Sequence, residues 1–184
     1  MLWIDTEGTG LDPLSDEIIE ITAILTNNQL DEIERVTSIV RPSDGAFARL
    51  LSDPFLVDMH NRNGLLADLA RPDADHPLVG LVERRIVDMV DRHGIHSDYL
   101  ELSVCGSGVA NHDIPQLRVQ MPRLMRRATY FSACDVGVLR RSYGMWNGHD
   151  LVTANESKTH RSTDDIECHL AEAGAFKRLM TADV

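Results

Sequence analysis

The sequence predicts an α/β fold: a mixed sheet, antiparallel over its first three strands, flanked by helices. Three observations carry this. Residues 1–40 hold three apolar or β-branched segments separated by turn signals; from residue 78 onward helical and strand patterns alternate; no spacer rich in Pro, Gly or Ser divides the chain. A length of 184 residues suits one domain over residues 1–184, large enough to bury a core without staples.

Residues 1–4 open the first strand, which leads straight into Asp5 and Glu7; Gly8-Thr9-Gly10 and Asp12-Pro13 then mark a tight loop. Residues 18–26, IIEITAILT, alternate and are rich in β-branched side chains, as a second strand should be. Asn27-Asn28 suits a hairpin turn into a third strand, residues 32–40, closed by Arg41-Pro42. The polar stretch 43–76 reads as short helices and loops, with a turn at Asn61-Arg62-Asn63-Gly64. Residues 78–93 space their apolar side chains as a one-sided helix, and Gly94 supplies its C-terminal stop. Residues 100–105 form a strand that runs into the Gly106-Ser107-Gly108 turn. A helix from about residue 114 tolerates Pro115 in its first turn and is broken or kinked at Pro122. A strand at 129–133, a helix at 136–143, a polar loop at 147–159 and a helix at 163–174 follow, with residues 176–184 expected to fray.

Hydrophobic residues make up 43% of the chain and charged residues 26%, the range of an ordinary globular protein. No apolar run approaches the ~20 residues a bilayer span needs, so no membrane partner is expected. Nothing ahead of the first strand reads as a secretory leader. Cys105, Cys134 and Cys168 are widely spaced and lack a C-x-x-C pair. Together these point to a cytoplasmic protein with reduced thiols. The net charge of −11 argues against a protein that coats duplexes. It leaves room for a nuclease, because bound cations reverse the local potential, and it favours a small footprint on short single strands.

Strand alternation turns Asp5 and Glu7 to the same side. Two further acidic signals follow: Asn111-His112-Asp113, and His160 with Asp165. Mg²⁺ and Mn²⁺ favour carboxylate oxygens, and two such ions about 3.5–4 Å apart clamp the attacking and leaving oxygens of a phosphoryl displacement. Asp5 is the natural bridge between two ions, Glu7 and Asp165 complete the shell of one, and Asp113 serves the second. His160, in a loop ahead of a helix whose first turn bears Asp164 and Asp165, is placed to act as a base. The helix dipole alone accounts for Asp164. Lys158 and Arg161 bracket His160 and are expected on backbone phosphates; the arginines at 123, 126 and 127, and at 140 and 141, read as solvated helix faces.

D-T-E-G-T-G-L, N-H-D and H-x-x-x-x-D, in that order, resemble the three motifs of the DEDDh 3′→5′ exonucleases, and the oligoribonuclease branch above all, whose first motif has the form D-x-E-x-T-G-L-D-P. Neighbouring stretches agree: D-E-I-I-E-I at 16–21, His60 with Asn63-Gly64-Leu65, Cys134-Asp135-Val136, and Thr159 through Ile166. The resemblance runs from Leu2 to about Ala173. It implies a ribonuclease H-like fold, with Asp5, Glu7, Asp113 and Asp165 holding two Mg²⁺ or Mn²⁺ ions and His160 as general base. It also implies that Leu11 wedges between terminal bases and that Gly8, Thr9 and Gly10 lie against the 3′ sugar. Phe55 matches an aromatic that stacks on a base, with core packing as its other reading, and His60 matches a phosphate-contacting histidine.

One departure concerns the 5′ end of the substrate. Oligoribonucleases hold it with an arginine and a serine flanking an L-D-V stretch; the corresponding positions here are Ser132 and Gly137. The function implied is a metal-dependent 3′→5′ exonuclease acting on short single-stranded RNA or DNA, RNA in the first place, releasing nucleoside 5′-monophosphates as a homodimer. Two alternatives stay open: a general or proofreading-type DNA exonuclease, and a non-catalytic module that binds nucleic-acid ends around a vestigial metal site.

Overall fold

A computed structural model of the chain describes residues 1–71, 73–94, 102–152 and 159–182. Strands β1 (Leu2–Gly8), β2 (Ile18–Thr26), β3 (Glu32–Ile39), β4 (Ser103–Gly106) and β5 (Thr129–Asp135) form one sheet in the order β3-β2-β1-β4-β5. The first three strands are antiparallel neighbours; β4 joins β1, and β5 joins β4, in parallel. The architecture is therefore α/β with the mixed sheet expected, and β1 lies at its centre.

Alternation along β1 sorts its side chains into two layers. Leu2 and Ile4 enter a core with Val82, Ile86, Met89 and Val90 of α4 (Val79–Arg92), Leu117 of α5 (Asp113–Gln120) and Leu124 of α6 (Pro122–Met125). Trp3 points the other way, into a core with Val136 of α7 (Val136–Asn147) and Ile166 and Ala173 of α8 (Ser162–Thr181). By the same period of two, Asp5 and Glu7 share the α8 face of the sheet, whereas Thr6 faces α5. Every residue of β2 is buried, as expected of a strand covered on both faces, while β3 alternates toward solvent as an edge.

The polar stretch after β3 contains three short helices: α1 (Asp44–Ser52), α2 (Pro54–Arg62) and α3 (Leu65–Leu69). Asp53 caps α2, its Oδ1 accepting the Phe55 and Leu56 N–H groups at 2.9 and 3.3 Å. The break at Pro122 is a built feature: buried Glu83 accepts the N–H groups of Arg123 and Leu124 at 2.6 and 3.2 Å, capping α6 from α4.

Several expected boundaries move. The first strand runs through Asp5 and Glu7 to Gly8. Helix α2 continues through Asn61 and Arg62, so the turn narrows to Asn63-Gly64, where Gly64 adopts φ 81°. Helix α7 extends to Asn147 and stops at left-handed Gly148. Helix α8 does not end at residue 174, nor does it fray at Phe176. It continues to Thr181 because Phe176 is buried, with its ring edge-on to Tyr143 at 6.1 Å. Residues 100 and 101 of the expected fourth strand, and 153–158 of the polar loop, lie outside the described residues. No helix among the described residues is long and apolar enough to cross a membrane.

Candidate active site

The C-terminal end of β1 is where the distant acidic segments meet. Glu7 and Asp165 are buried, His160 is exposed, and one ligand-type atom from each of the three lies within 4.8 Å of the others. Asp113 approaches from the N-terminus of α5: its Oδ1 accepts the Thr6 backbone N–H at 2.9 Å and the Thr6 hydroxyl at 2.7 Å. That carboxylate is therefore fixed to β1 between Asp5 and Glu7. Asp5 stands outside the three-residue cluster; its Oδ1 lies 3.7 Å from Nδ1 of His169 on α8.

The electrostatics of this corner fit a cation. Burial, then the like charges of Asp165, Glu20 and Asp113, push the Glu7 carboxyl up to about 9 against a partial offset from Arg161. Burial also raises Asp113 to about 6, although its two bonds from Thr6 oppose the shift. Carboxylates crowded at low dielectric are costly unless a positive charge joins them. Clustered carboxylate oxygens are hard donors that suit a divalent cation.

The helix that presents Asp165 is fastened by a residue far away in sequence. The N-cap position of α8 is Arg161, whose side chain makes no cap hydrogen bond. Glu20 of β2 takes over that role: its Oε2 accepts the Ser162 N–H at 2.8 Å. The other oxygen, Oε1, accepts Nε and Nη2 of Arg161 at 2.9 and 2.7 Å. Thr22, two residues along the strand, is 2.9 Å from the Ser162 hydroxyl and 3.2 Å from that of Thr163. Because Asp5 and Thr22 are register partners, as are Glu7 and Glu20, one strand pair sets the position of three carboxylates.

His160 precedes this helix with φ 52°, a left-handed conformation that costs on the order of 1–3 kcal/mol in a non-glycine residue. Its carbonyl accepts the Asn63 side-chain amide, which ties the strained residue to the end of α2. Arg161, expected on a phosphate, is committed elsewhere. Besides Glu20 it pairs with Asp68 at 3.0 Å and donates to the Asn63 carbonyl at 3.2 Å, clamping α3 and the α2 end to the loop that holds His160. His60, expected against a phosphate, lies beneath the loop after β1. It is fully buried, with Nε2 3.4 Å from the Gly8 carbonyl, so it supports the loop after β1, and burial lowers its pKa toward the neutral imidazole.

The loop after β1 is ordered by Asp16. Its carboxylate accepts the Asp12 N–H at 3.0 Å and the Thr9 hydroxyl at 3.3 Å. A Cβ on Gly10 would stand 2.2 Å from Asp16 Oδ2, so a larger residue there has to displace the Asp16 carboxylate. Thr9 is buried and bonded to Glu17 through backbone and hydroxyl, which fixes the loop expected against a sugar. Leu11, by contrast, is 78% exposed at the loop tip.

Phe55 is not a core residue: it is 69% exposed and lines a cleft of about 730 Å³ with Met59, Arg62, His160, Thr163 and Asp164. Lys158 lies outside the described residues. Sequence reasoning missed Glu20, Thr6, Arg62 and His169. His169 is four residues after Asp165, the spacing that puts two side chains on one helix face, and that signal was available. Gly106 ends β4 and the chain bends at Ser107-Gly108, with the Gly108 N–H donating to Asp135 Oδ1 at 2.9 Å; a Cβ on Gly137 would approach Ser107 Oγ to 2.8 Å.

Comparison with known proteins bears on this arrangement. A family model described as Exonuclease matches residues 2–51, the segment holding Asp5, Glu7 and the Asp16 loop. The oligoribonuclease of Mannheimia succiniciproducens is 31% identical over 180 residues, covering 96% of this chain and 90% of that protein. The oligoribonuclease of Photorhabdus laumondii is 28% identical over 178 residues, covering 96% and 93%. Among solved structures, zinc-bound Escherichia coli exonuclease I with single-stranded DNA superposes with a TM-score of 0.65 at 15% identity, over 99% of this chain and 41% of that one. Exonuclease I from Methylocaldum szegediense gives 0.65 at 18% identity, over 99% and 41%. The chain thus spans about two fifths of those exonuclease I chains, which share its ribonuclease H-like fold. Since the similarity to the bacterial proteins extends over nearly the full length of both partners, the chain belongs to the oligoribonuclease family of DEDDh exonucleases.

Proposed function

We propose that this chain is a single-domain, divalent-metal-dependent 3′→5′ exonuclease that shortens single-stranded oligonucleotides, RNA before DNA, and releases nucleoside 5′-monophosphates. The observation that carries the reading is the convergence of Glu7, His160 and Asp165 within 4.8 Å, from a strand, a strained loop and a helix that are far apart in sequence.

Asp5, Glu7, Asp113 and Asp165 would hold two Mg²⁺ or Mn²⁺ ions. A divalent cation bound there supplies Lewis-acid stabilisation of the charge that builds on a phosphodiester during hydrolysis. The chain's own groups do the rest. His160, exposed beside the two buried carboxylates, takes a proton from the attacking water. Its loop is held by Asn63 and by the Arg161–Glu20 pair, so the imidazole stays in reach of the cluster. Phe55 offers an exposed ring for a base, Arg62 a cation beside it in the cleft, and Leu11 an apolar tip at the loop that His60 supports.

Short substrates suit the net charge of −11, which disfavours a long electrostatic track. A homodimer is supported by Met145 and Trp146, each 80% exposed on α7, with Met180 exposed on α8. A cytoplasmic setting is supported by the cysteine pattern, three widely spaced residues with no C-x-x-C pair.

The test is turnover of 5′-labelled RNA of two, five and twenty nucleotides, with matched DNA, in Mn²⁺ and in EDTA. Metal-dependent shortening from the 3′ end, fastest on the shortest RNA, is the expected result. Faster trimming of long DNA would reassign the chain to the general exonucleases. Binding without cleavage would leave the vestigial-site reading.

A further inference from the structure

One helical turn beyond Asp165, the same face of α8 carries His169, which is 2% exposed, and its Nδ1 lies 3.7 Å from Asp5 Oδ1. The two residues meet where α8 lies on β1, the two elements that also carry Asp165 and Glu7. The next turn of the helix is fixed as well: Glu172, buried, takes Nη1 of Arg140 at 2.8 Å, so α8 is anchored to α7 just past His169. A buried imidazole on an anchored helix has few rotamers, and the carboxylate beside it inherits that restriction.

We infer that His169 is a positioning residue for Asp5, its Nδ1 side directing the carboxylate into the orientation the ion site requires. The inference rests on the reading of Asp5 as a metal ligand. Carboxylates that hold metals are in general oriented by outer partners, and removing such a partner weakens metal affinity by about 10–100-fold. Asp5 has particular need of one, because it stands outside the cluster that Glu7, His160 and Asp165 form. His169 itself touches neither substrate nor ion. Its contribution is to bring the fourth group into the set from the helix that already carries Asp165.

The experiment is Mn²⁺ titration calorimetry on the full chain with His169→Leu, His169→Asn and Asp5→Asn. Leucine fills comparable space without a polar atom, whereas the asparagine amide returns a polar group near the place of Nδ1. His169→Leu should weaken Mn²⁺ binding by about 10–100-fold, and His169→Asn should recover it to within about threefold of the parent. If the leucine variant does not fold, His169→Ala takes its place under the same expectation. Unchanged affinity in the variant lacking a polar group would overturn the inference. So would equal weakening in both substitutions, since that is what a space-filling role produces. Asp5→Asn should lose most of its Mn²⁺ affinity. Parent-like binding in that variant would remove Asp5 from the ligand set and overturn the inference with it. Weak binding by Asp5→Asn alongside normal binding by His169→Leu would overturn only the role of His169.

Discussion

Glu20 and Ser162 lie 142 positions apart, yet the Glu20 carboxylate accepts the Ser162 backbone N–H at 2.8 Å and thereby caps the helix that bears Asp165. The same carboxylate binds the guanidinium of Arg161, so one buried side chain on β2 fixes both the helix start and the loop holding His160. Glu20→Ala removes the cap and strands a guanidinium that is only 24% exposed. The cost should be roughly 3 kcal/mol, the low end for breaking a buried pair, because Arg161 keeps Asp68. Denaturant unfolding of the metal-free chain checks it, and the same variant should bind Mn²⁺ more weakly than the parent.

The ionisation of Glu7 gives the metal-free chain a pH dependence with a definite sign. Its folded pKa of about 9 lies above the ordinary carboxyl value, so the folded state holds a proton that the unfolded state has released. Stability therefore falls as pH rises from the ordinary value through about 9, with a slope from this group of up to ~1.4 kcal/mol per pH unit. Asp113 adds the same sign up to about 6. Thermal unfolding in EDTA at about pH 5.5 and about pH 8.5 should show the lower melting point at the higher pH, and Mn²⁺ should raise it most there. A metal-free melting point that climbs across this window, unmoved by Mn²⁺, would contradict the electrostatic description.

Gly10 cannot be enlarged without displacing Asp16. The carboxylate that a Cβ would meet at 2.2 Å already holds Thr9 and Asp12. Gly10→Ala should cost about 1–3 kcal/mol, the range for overfilling a fitted site. Because the disturbed loop carries exposed Leu11, KM should rise more than kcat falls. Steady-state kinetics on a short RNA separates the two.

Phe55 offers a cleaner separation. The ring is exposed, so Phe55→Ala should leave the melting point nearly unchanged. If the ring stacks on a base, the loss is about 1–3 kcal/mol of binding, seen as a raised KM with kcat largely retained. A destabilised fold with unchanged KM would return Phe55 to a packing role.

Much of the architecture was legible because its signals are local. The alternation in residues 18–26 and the one-sided apolar spacing in 78–93 each fix an element by their own period, and β2 and α4 follow them closely. The acidic segments were legible as candidates because D-x-E at a strand end and a histidine ahead of an acidic helix start are compact patterns. What escaped depends on contacts across the fold. Glu20 looks like one more polar residue in an alternating strand until β2 is laid beside the start of α8. Arg161 looks like a phosphate ligand until Glu20, Asp68 and the Asn63 carbonyl are found around it. His60 carries no local mark of burial, and the length of α8 past residue 174 depends on Tyr143 meeting Phe176.

The central claim is that buried Glu7, with its neighbouring carboxylates and His160, supports metal-dependent cleavage from the 3′ end. The direct measurement compares the parent chain with Glu7→Gln, which keeps the shape and removes the charge, on a 5′-labelled five-nucleotide RNA in Mn²⁺. The parent should give a ladder of successively shorter labelled products, with none in EDTA, and the variant a rate at least about 10²-fold lower, the scale on which lost electrostatic groups reduce turnover. A variant within a few-fold of the parent, or cleavage that persists in EDTA, would contradict that claim.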